Sequence, residues 1–427
     1  MPSRTRALAV VAAALLCLTA AIGALALTTP GAPAAADRAP RPTDTDLRSL
    51  HAAGVDGGNV TVGVVGVTGF DTDHPTFADQ VVDARAFGDG ATVSNGGRNR
   101  HGTATAAVLS RTAPGAELYL ATFDETRDFR HAVTWLVTSD VDVIVAPVSF
   151  YGTPGDGSAA VARLGEWARR QGVVFVAPTG NLARGHWHGR YDDVENGTLR
   201  FGETTRNYVA GRGSRTQIWL SWDRAHANES YTAELYRAEG NESRLVARSQ
   251  PYRADDVPNA RINARLEGGT YYVAVRGPEN ATGAHLRLAS PTHRFQRAKP
   301  ESSLAAPATG RGVVGVGAYD PRDGGIEPFS SRGPTFDGRL GVDLVAPARH
   351  EIRGYDEPLV GSSAATPYVG GVAALVLDSR PGLAPDRVEH RLERTAVDVG
   401  PNGTDTVAGH GVVAPRRAVG RPTNATG

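Results

Sequence analysis

The sequence predicts an α/β fold: a wound, mostly parallel sheet with helices on both faces, interrupted by an inserted antiparallel β-sandwich. Two observations carry this prediction. Strongly apolar runs bounded by Gly or Pro alternate with helical stretches in both halves of the chain, which is typical of strands buried on both faces of a parallel sheet. Between about Gly185 and Phe295, apolar and polar residues instead alternate with period two, which favours antiparallel strands around a second core.

The apolar runs of the first α/β part are VTVGVVGV at 60–67, ELYLATF at 117–123, VDVIVAPVSF at 141–150 and VVFVAPTG at 173–180. Helical stretches lie between them, beginning at His101, Phe129 and Gly157. The same alternation returns with GVVGVGAYD at 312–320, VDLVAPA at 342–348 and a long helix that opens at Ser363. The insertion therefore splits the α/β domain in sequence.

The inserted segment carries its own strand pattern, in TQIWLSWD at 216–223, YTAELYRAE at 231–239, ARINARL at 260–266 and TYYVAVRG at 270–277. Polar turns separate these segments, so we predict an independent small core. The expected domains are a targeting segment at 1–28, a linker at 29–44, a first α/β part at 45–185, the β-sandwich at 186–296, a second α/β part at 297–420 and a disordered tail at 421–427.

The N-terminus has the pattern of an export signal, because two arginines precede an apolar run at 7–27 and small residues follow it. The run is also just long enough to cross a bilayer. It predicts either a cleaved signal peptide or a retained membrane tether, and both place the remainder outside the cytoplasm, extracellular or at the cell surface. Cys17, the single cysteine, lies inside this run, so the mature chain has no disulfide.

The charge composition gives no indication of a nucleic-acid partner. Lys plus Arg and Asp plus Glu both number 45, so no excess of basic residues predicts nucleic-acid binding. We expect a monomer that needs no cofactor. Asn-x-Ser/Thr sequons fit a glycosylated exported surface, although chance supplies several of them in a chain of this composition; they begin at Asn59, Asn196, Asn228, Asn241, Asn280, Asn402 and Asn424.

Three segments carry side chains suited to chemistry at a carbonyl group. GSSAATP sets Ser363 at a helix start, with Pro367 in the first helical turn, where amide donors and the helix dipole stabilise an oxyanion. RHGTATAAV places His101, a candidate base, at the start of another helix, and VVFVAPTGN ends a buried strand at Asn181. Taken singly, each has a simpler explanation as a helix cap, a packed ring or a turn residue.

In order and spacing, these segments resemble the subtilisin-like serine peptidases, or subtilases. The matching stretches include TGFDTDHP, HGTATAAV, FVAPTGN, FSSRGPTFDGRLGVDLVAPA and GSSAATPYVGGVAAL, and they cover residues 47–185 and 300–419. The resemblance implies hydrolysis of peptide bonds in a protein or peptide substrate through an acyl-enzyme. It implies Ser363 as the nucleophile, His101 as general base and then acid, and Asn181 as oxyanion donor together with the Ser363 amide.

The resemblance also implies one wall of the substrate cleft, formed by Ser149, Phe150 and Gly152. The opposite wall departs from the family. The short interval DETRDFRHA after 117–123 lacks the glycine-flanked edge segment that usually pairs with substrate as an added strand. We therefore expect weaker binding of extended substrates.

The family's first motif, an apolar strand that ends in the aspartate orienting the histidine, is degenerate here. Counting forward along VTVGVVGV puts Gly66 at the aspartate position, whereas counting back from TGFD puts Val67 there. We favour Gly66, because an extra residue is absorbed more easily in a turn than in a buried central strand. Asp71 is a candidate substitute acid, with an ordinary turn carboxylate as the alternative.

Losing the orienting carboxylate costs about 10⁴-fold in turnover, which leaves two functions open. The first is an exported serine endopeptidase weakened by this loss. The second is a catalytically dead pseudopeptidase that binds peptides or glycans at the surface. Retention of the serine, histidine and asparagine favours the first, and the missing aspartate favours the second. An α/β-hydrolase is excluded, because GSSAA lacks the second glycine of the nucleophile elbow and the histidine precedes the serine.

One more stretch, GHWHGRYDDVE at 185–195, contains histidines and aspartates, which are residue types that can bind divalent cations. A polar, partly aromatic junction between domains explains the same residues, and we favour it. No loop has the pattern of a calcium site, so we predict no metal.

Overall fold

The computed structural model describes residues 44–94, 100–252 and 257–420 of the 427-residue chain. The helices of this part of the chain are α1 (Asp44–Ala52), α2 (His101–Thr112), α3 (Thr126–Thr138), α4 (Ala160–Arg170), α5 (Ser362–Ser379), α6 (Pro385–Thr395) and α7 (Pro415–Val419). Short 3₁₀ turns lie at Ala78–Gln80 and Arg224–His226.

The strands fall into three groups along the chain. The first is β1 (Thr61–Gly66), β2 (Val81–Phe87), β3 (Glu117–Phe123), β4 (Val143–Val145) and β5 (Val174–Pro178). The second is β6 (His186–Arg190), β7 (Val194–Glu195), β8 (Thr198–Leu199), β9 (Asn207–Ala210), β10 (Arg215–Trp222), β11 (Thr232–Glu239), β12 (Glu242–Arg248), β13 (Gln250–Pro251), β14 (Asn259–Arg265), β15 (Thr270–Arg276), β16 (His285–Ala289) and β17 (Arg294–Phe295). The third is β18 (Val314–Asp320), β19 (Gly325–Ile326), β20 (Leu344–Pro347), β21 (Arg349–His350) and β22 (Leu359–Val360).

The first and third groups join in one eight-stranded sheet. Its order is β19-β18-β5-β4-β1-β3-β2, with β20 also paired to β18. All of its pairs are parallel except β18 with β19. α2, α3 and α4 connect β2 to β3, β3 to β4 and β4 to β5, as crossovers between parallel strands do. The predicted α/β fold class is therefore confirmed.

Helices cover both faces of this sheet, which explains why its strands are apolar almost throughout. Val62 and Val64 of β1 belong to a buried cluster with residues of α2 and α5. Val65, which points to the opposite face, belongs to a second cluster with residues of α3 and α4. The carboxyl ends of the central strands and the first turns of α2 and α5 are where the candidate residues lie.

The second group forms two antiparallel sheets, one in the order β13-β14-β10-β16-β6 and the other built on β12-β11-β15-β8-β7. One buried cluster unites them and includes Ile218 and Leu220 from the first sheet and Leu235 and Val273 from the second. A two-layer sandwich is our interpretation of this arrangement, and its boundaries at 186–296 stay a prediction.

The other face of the five-stranded sheet packs on the α/β part through polar and aromatic side chains. Arg287 of β16 is 4% exposed and donates from Nη1 to the carbonyl oxygen of Thr153 (3.1 Å), from Nη2 to that of Leu304 and from Nε to the His186 ring (3.0 Å). Burial lowers the pKa of Arg287 to about 10. One buried guanidinium thus links the inserted region to two loops of the α/β part.

None of the helices in the described residues is long and apolar enough to cross a membrane. The predicted signal or tether at 7–27, like the predicted tail at 421–427, lies outside the described residues.

Candidate active site

Ser363 occupies the second position of α5, and its side chain faces the first residue of α2. The helix is preceded by Gly361 at φ 135°, a backbone conformation that favours glycine. A Cβ at Gly361 would lie 3.0 Å from Asn181 Nδ2 and 3.5 Å from Ser363 Oγ, so glycine keeps the space between these atoms open. The N–H of Ser363 lies in the first helical turn, where backbone donors have no acceptor within the helix.

Pro367 departs from the expected position. Because α5 begins at Ser362, Pro367 is the sixth residue of the helix and lies beyond the first turn. A proline there has no N–H to donate to the carbonyl of Ser363.

The imidazole of His101 lies within hydrogen-bond reach of the candidate nucleophile. His101 begins α2, and its Nε2 is 2.9 Å from Ser363 Oγ. Burial lowers the pKa of His101 to about 4, so the ring is neutral at physiological pH and Nε2 can accept the hydroxyl proton.

The turn after β1 fixes the start of α2. Thr68 accepts a hydrogen bond on Oγ1 from the backbone N–H of Gly102 (2.8 Å). A Cβ at Gly102 would overlap the carbonyl oxygen of Gly69, so only glycine lets this turn approach the helix so closely. The arrangement holds the backbone on which the imidazole is mounted.

Asn181 follows β5 and is oriented by Ser362, the serine next to the candidate nucleophile. Asn181 Oδ1 accepts hydrogen bonds from the backbone N–H and from the hydroxyl of Ser362, both at 3.0 Å. The carbonyl branch of the amide is thereby turned to the helix start, and Nδ2 is the branch that can donate. Ser331 supports the same segment, since its Oγ accepts from the Leu182 N–H (2.9 Å).

The predicted cleft wall runs beside this segment. The Phe150 N–H donates to the Ala306 carbonyl (2.8 Å), and the Phe150 ring packs on Phe129, with 5.0 Å between centroids. Gly152 has φ 76°, and a Cβ there would overlap the indole of Trp219 from the inserted region. Ser149 is half-buried at the start of this wall.

Gly66, the last residue of β1, faces the histidine helix. A Cβ at Gly66 would lie 4.0 Å from the Cα of Gly102 and 3.5 Å from the Phe70 ring, in ordinary van der Waals contact. Val67 packs with the cluster on the opposite face of the sheet. The alternation of faces along β1 therefore favours Gly66 over Val67 as the position from which a side chain would reach His101.

Asp71 is exposed in the turn that follows β1. Its backbone N–H donates to Thr103 Oγ1 (2.9 Å). This environment matches that of a turn carboxylate, and Asp71 as a substitute acid gains no support from it.

The histidines of the 185–195 stretch form the junction with the α/β part. His186 uses both ring nitrogens, Nδ1 toward the Lys299 carbonyl (2.7 Å) and Nε2 as acceptor from Arg287. The His188 ring packs on the His186 and His285 rings, each with 5.5 Å between centroids. Both ring nitrogens of His186 are therefore hydrogen-bonded within the junction, and neither is available to bind a cation.

A separate group of carboxyls comprises Asp343, Glu389 and Glu393, with ligand atoms within 4.8 Å of one another. Burial raises the pKa of Asp343 and of Glu393 to about 7, and Glu389 contributes to the shift of Glu393. Asp343 also accepts the Gly315 N–H (2.6 Å). Burial also raises the pKa of Glu389, so burial favours the protonated form of all three carboxyls.

The chain is similar to known proteins in sequence and in fold. A family model described as the subtilase family matches residues 57–411, more than half of the chain. The chain is 34% identical over 131 residues to the serine protease AprX of Bacillus subtilis (strain 168), a match that covers 25% of this chain and 28% of the relative. It is 32% identical over 121 residues to the halolysin-like extracellular serine protease Nep of Natrialba magadii, covering 27% of this chain and 21% of the relative.

These matches span less than a third of either curated relative. Among solved structures, the CspB protease of Clostridium perfringens aligns with a TM-score of 0.62 at 17% identity, over 87% of this chain and 94% of that chain. At this level of identity the likeness bears on the fold alone.

Proposed function

The chain belongs to the subtilase family, and on that premise we propose that it is an exported serine endopeptidase whose activity is weak because Gly66 stands where the family has an aspartate. The observation that carries the proposal is the 2.9 Å approach of His101 Nε2 to Ser363 Oγ. Asn181 and the Ser363 amide complete the constellation that acyl transfer needs.

The reaction begins with attack of Ser363 Oγ on the carbonyl carbon of the scissile peptide bond. The hydroxyl proton passes to His101 Nε2, and the carbonyl oxygen becomes an oxyanion that accepts hydrogen bonds from Asn181 Nδ2 and the Ser363 N–H. Collapse of this intermediate breaks the C–N bond. The imidazolium gives its proton to the leaving amine, and an acyl-enzyme remains on Ser363.

Hydrolysis of the acyl-enzyme repeats these steps with water. His101 takes a proton from the water molecule, the hydroxide attacks the ester carbon, and Ser363 Oγ leaves with the proton returned from the imidazolium. A free carboxylic acid and the original hydroxyl result.

Gly66 is the weak point of this mechanism. A carboxylate at that position would hold the imidazole in its productive tautomer and stabilise the imidazolium that forms in each transition state, and its loss costs about 10⁴-fold. Burial of His101, which lowers its pKa to about 4, adds to the penalty because the charged ring is disfavoured. The serine, histidine and oxyanion donors still provide residual catalysis.

The second candidate is a pseudopeptidase that binds peptides without cleaving them, and the glycine at position 66 is the observation that favours it. A fluorophosphonate probe separates the two. We expect slow labelling at Ser363, located by mass spectrometry of the labelled peptide, which vanishes in Ser363→Ala and persists in the matched variant Ser379→Ala at the other end of α5. Absence of labelling over hours would favour the pseudopeptidase.

Export and quaternary state belong to the same proposal. The N-terminal apolar run at 7–27 would direct the chain across the membrane and, if retained, tether it there. Expression of the full chain followed by separation of medium, membrane and cytoplasm tests this, since the proposal requires the protein in one of the first two fractions. We propose a monomer that acts on protein or peptide substrates.

A further inference from the structure

A cleft of about 520 Å³ lies at the edge of the inserted region, and none of its lining residues belongs to the candidate active site. Residues of 187–192, 200–202 and 297–299 line it. The first of these segments includes most of β6, the last strand in the order of the five-stranded sheet. The volume falls within the range of ligand-binding clefts, so the cleft has room for a ligand.

The cleft is basic although the whole chain carries no net charge. Four cations line it against one carboxylate, that of Asp192; the cations are Arg190, Arg200, Arg297 and Lys299. Arg200 is paired with Glu195 (2.8 Å). The side chains of the other three form no ion pair with a carboxylate among the described residues, so their charges can attract an anionic ligand.

The floor of the cleft is aromatic but covered. Trp187 and Phe201 meet edge-on with 4.9 Å between ring centroids, and they are 5% and 3% exposed. Lys299 Nζ lies 5.3 Å from the centroid of the indole, and a Cβ at Gly189 would lie 2.8 Å from the same ring. The two rings therefore offer no open face on which a sugar ring or a nucleic-acid base could stack.

The outer edge of β6 suits an extended peptide. The Lys299 N–H donates to the His186 carbonyl (2.7 Å), so an extended segment of the chain itself already pairs with the start of this edge. The Tyr191 N–H donates to the Ala284 carbonyl beside β16 (2.8 Å). Because residues bonded to the partner alternate along an antiparallel strand, the backbone groups of Arg190 point to the outer edge, where an added strand can pair.

We propose that this cleft binds an acidic peptide segment, whose carboxylates pair with Arg190, Arg297 and Lys299 while its extended backbone lies along β6. Guanidinium groups match the geometry of a carboxylate in particular. The inference concerns binding and does not depend on catalysis at Ser363. Combined with the proposed peptidase function, it would favour protein substrates that carry acidic segments.

The test measures, by fluorescence anisotropy, binding of a rhodamine-labelled octapeptide in which glutamate and threonine alternate. In an extended peptide of this pattern all glutamates lie on one face. The protein is the full chain with Ser363→Ala, which cannot cleave the peptide. We expect at least about tenfold tighter binding than for the matched glutamine peptide in about 50 mM NaCl, and a smaller difference in about 500 mM NaCl, because salt screens exposed charges.

Arg297→Gln combined with Lys299→Gln removes two of the cations, and we expect it to weaken binding of the glutamate peptide about 5- to 20-fold. Arg224→Gln combined with Arg265→Gln is the matched control and should leave the affinity unchanged, since both residues are exposed cations of the inserted region outside the cleft lining. Melting curves show whether each variant is folded. If the first variant does not fold, Arg190→Gln combined with Arg297→Gln replaces it with the same expected loss.

No measurable binding of the glutamate peptide, equal binding of the glutamate and glutamine peptides, or equal loss in the cleft and control variants overturns the inference. An oligogalacturonate or a single-stranded oligothymidylate that binds more tightly than the glutamate peptide, with the same loss in the cleft variant, overturns the class of ligand. None of these outcomes bears on the peptidase proposal, which fluorophosphonate labelling of the wild-type protein tests separately.

Discussion

His101 Nε2 lies 2.9 Å from Ser363 Oγ, although 262 positions separate the two residues in sequence. The contact joins the first turns of α2 and α5, which pack side by side on one face of the parallel sheet. Burial keeps the imidazole neutral, and only a neutral imidazole can accept the hydroxyl proton.

The pH dependence of labelling follows from this burial. The pKa of His101 is lowered to about 4, so the fluorophosphonate labelling rate should stay constant from pH 8 down to about pH 5 and fall through pH 4 as the imidazole is protonated. In Gly66→Asp a nearby carboxylate favours the charged ring, and the acid limb should move up by about 1 to 3 pH units. Labelling rates of the two proteins between pH 4 and 8 check this, and coincident acid limbs would contradict it.

The orientation of Asn181 gives a second prediction. Ser362→Ala removes the hydroxyl that donates to Asn181 Oδ1, and Asn181→Ala removes the amide altogether. We expect the first change to slow labelling about 3- to 10-fold, as loss of one hydrogen bond would, and the second about 10²- to 10³-fold, as loss of an oxyanion donor does. Both rates are read from the same probe experiment, and equal effects would mean that Ser362 does more than orient the amide.

Arg287 should contribute measurably to stability. In Arg287→Met the carbonyl oxygens of Thr153 and Leu304 lose their donor, and we expect the free energy of unfolding to fall by about 2 kcal/mol. Urea denaturation measures the change. Arg190→Met, an exposed position on the neighbouring β6, serves as control, and an equal loss in the two variants would refute the role given to Arg287.

The raised carboxyl pKa of Glu393 predicts a pH-dependent stability. Because burial raises its pKa from 4.5 to about 7, folding favours the protonated form, and stability is lost as pH rises through this interval. Glu393→Gln should therefore raise the melting temperature at pH 8 by about 2 to 4 °C and leave it unchanged at pH 4. Melting curves at both pH values test this. The exposed Glu242→Gln is the control, and a shift of equal size at pH 4 would contradict the mechanism.

Much of the fold was predictable because its strands and helices carry strong local patterns. The run at 60–67 contains β1 (Thr61–Gly66), and helices begin at His101 and at Ser362, one residue before the predicted start at Ser363. The start of α3 was missed by three residues, Thr126 instead of Phe129. The Asp128 carboxylate accepts a hydrogen bond from the Glu125 N–H (3.1 Å) and caps the helix start. The helix therefore starts before the first residue of its apolar face, Phe129.

The residues whose side chains suit the chemistry, such as Ser363 and His101, could be predicted from the sequence. The neighbours that only position those side chains were harder to predict. The sequence does not distinguish the roles of Ser362 and Ser363 except by resemblance, and the bond from Ser362 to Asn181 depends on a loop 181 positions away. The contact between Trp219 and Gly152 could not be predicted from the sequence. An alternating strand predicts that one face is buried, but not which surface packs against the other face.

Gly66→Asp tests the central claim most directly, namely that the catalytic groups of the proposed peptidase are complete except for one carboxylate. The position has room for a side chain that points to α2, and Gly66→Asn supplies the same size without the charge. We predict that Gly66→Asp raises kcat/KM for a peptide substrate by about 10² to 10⁴-fold, and that Gly66→Asn does not. A Gly66→Asp rate no higher than that of the wild type would contradict the account.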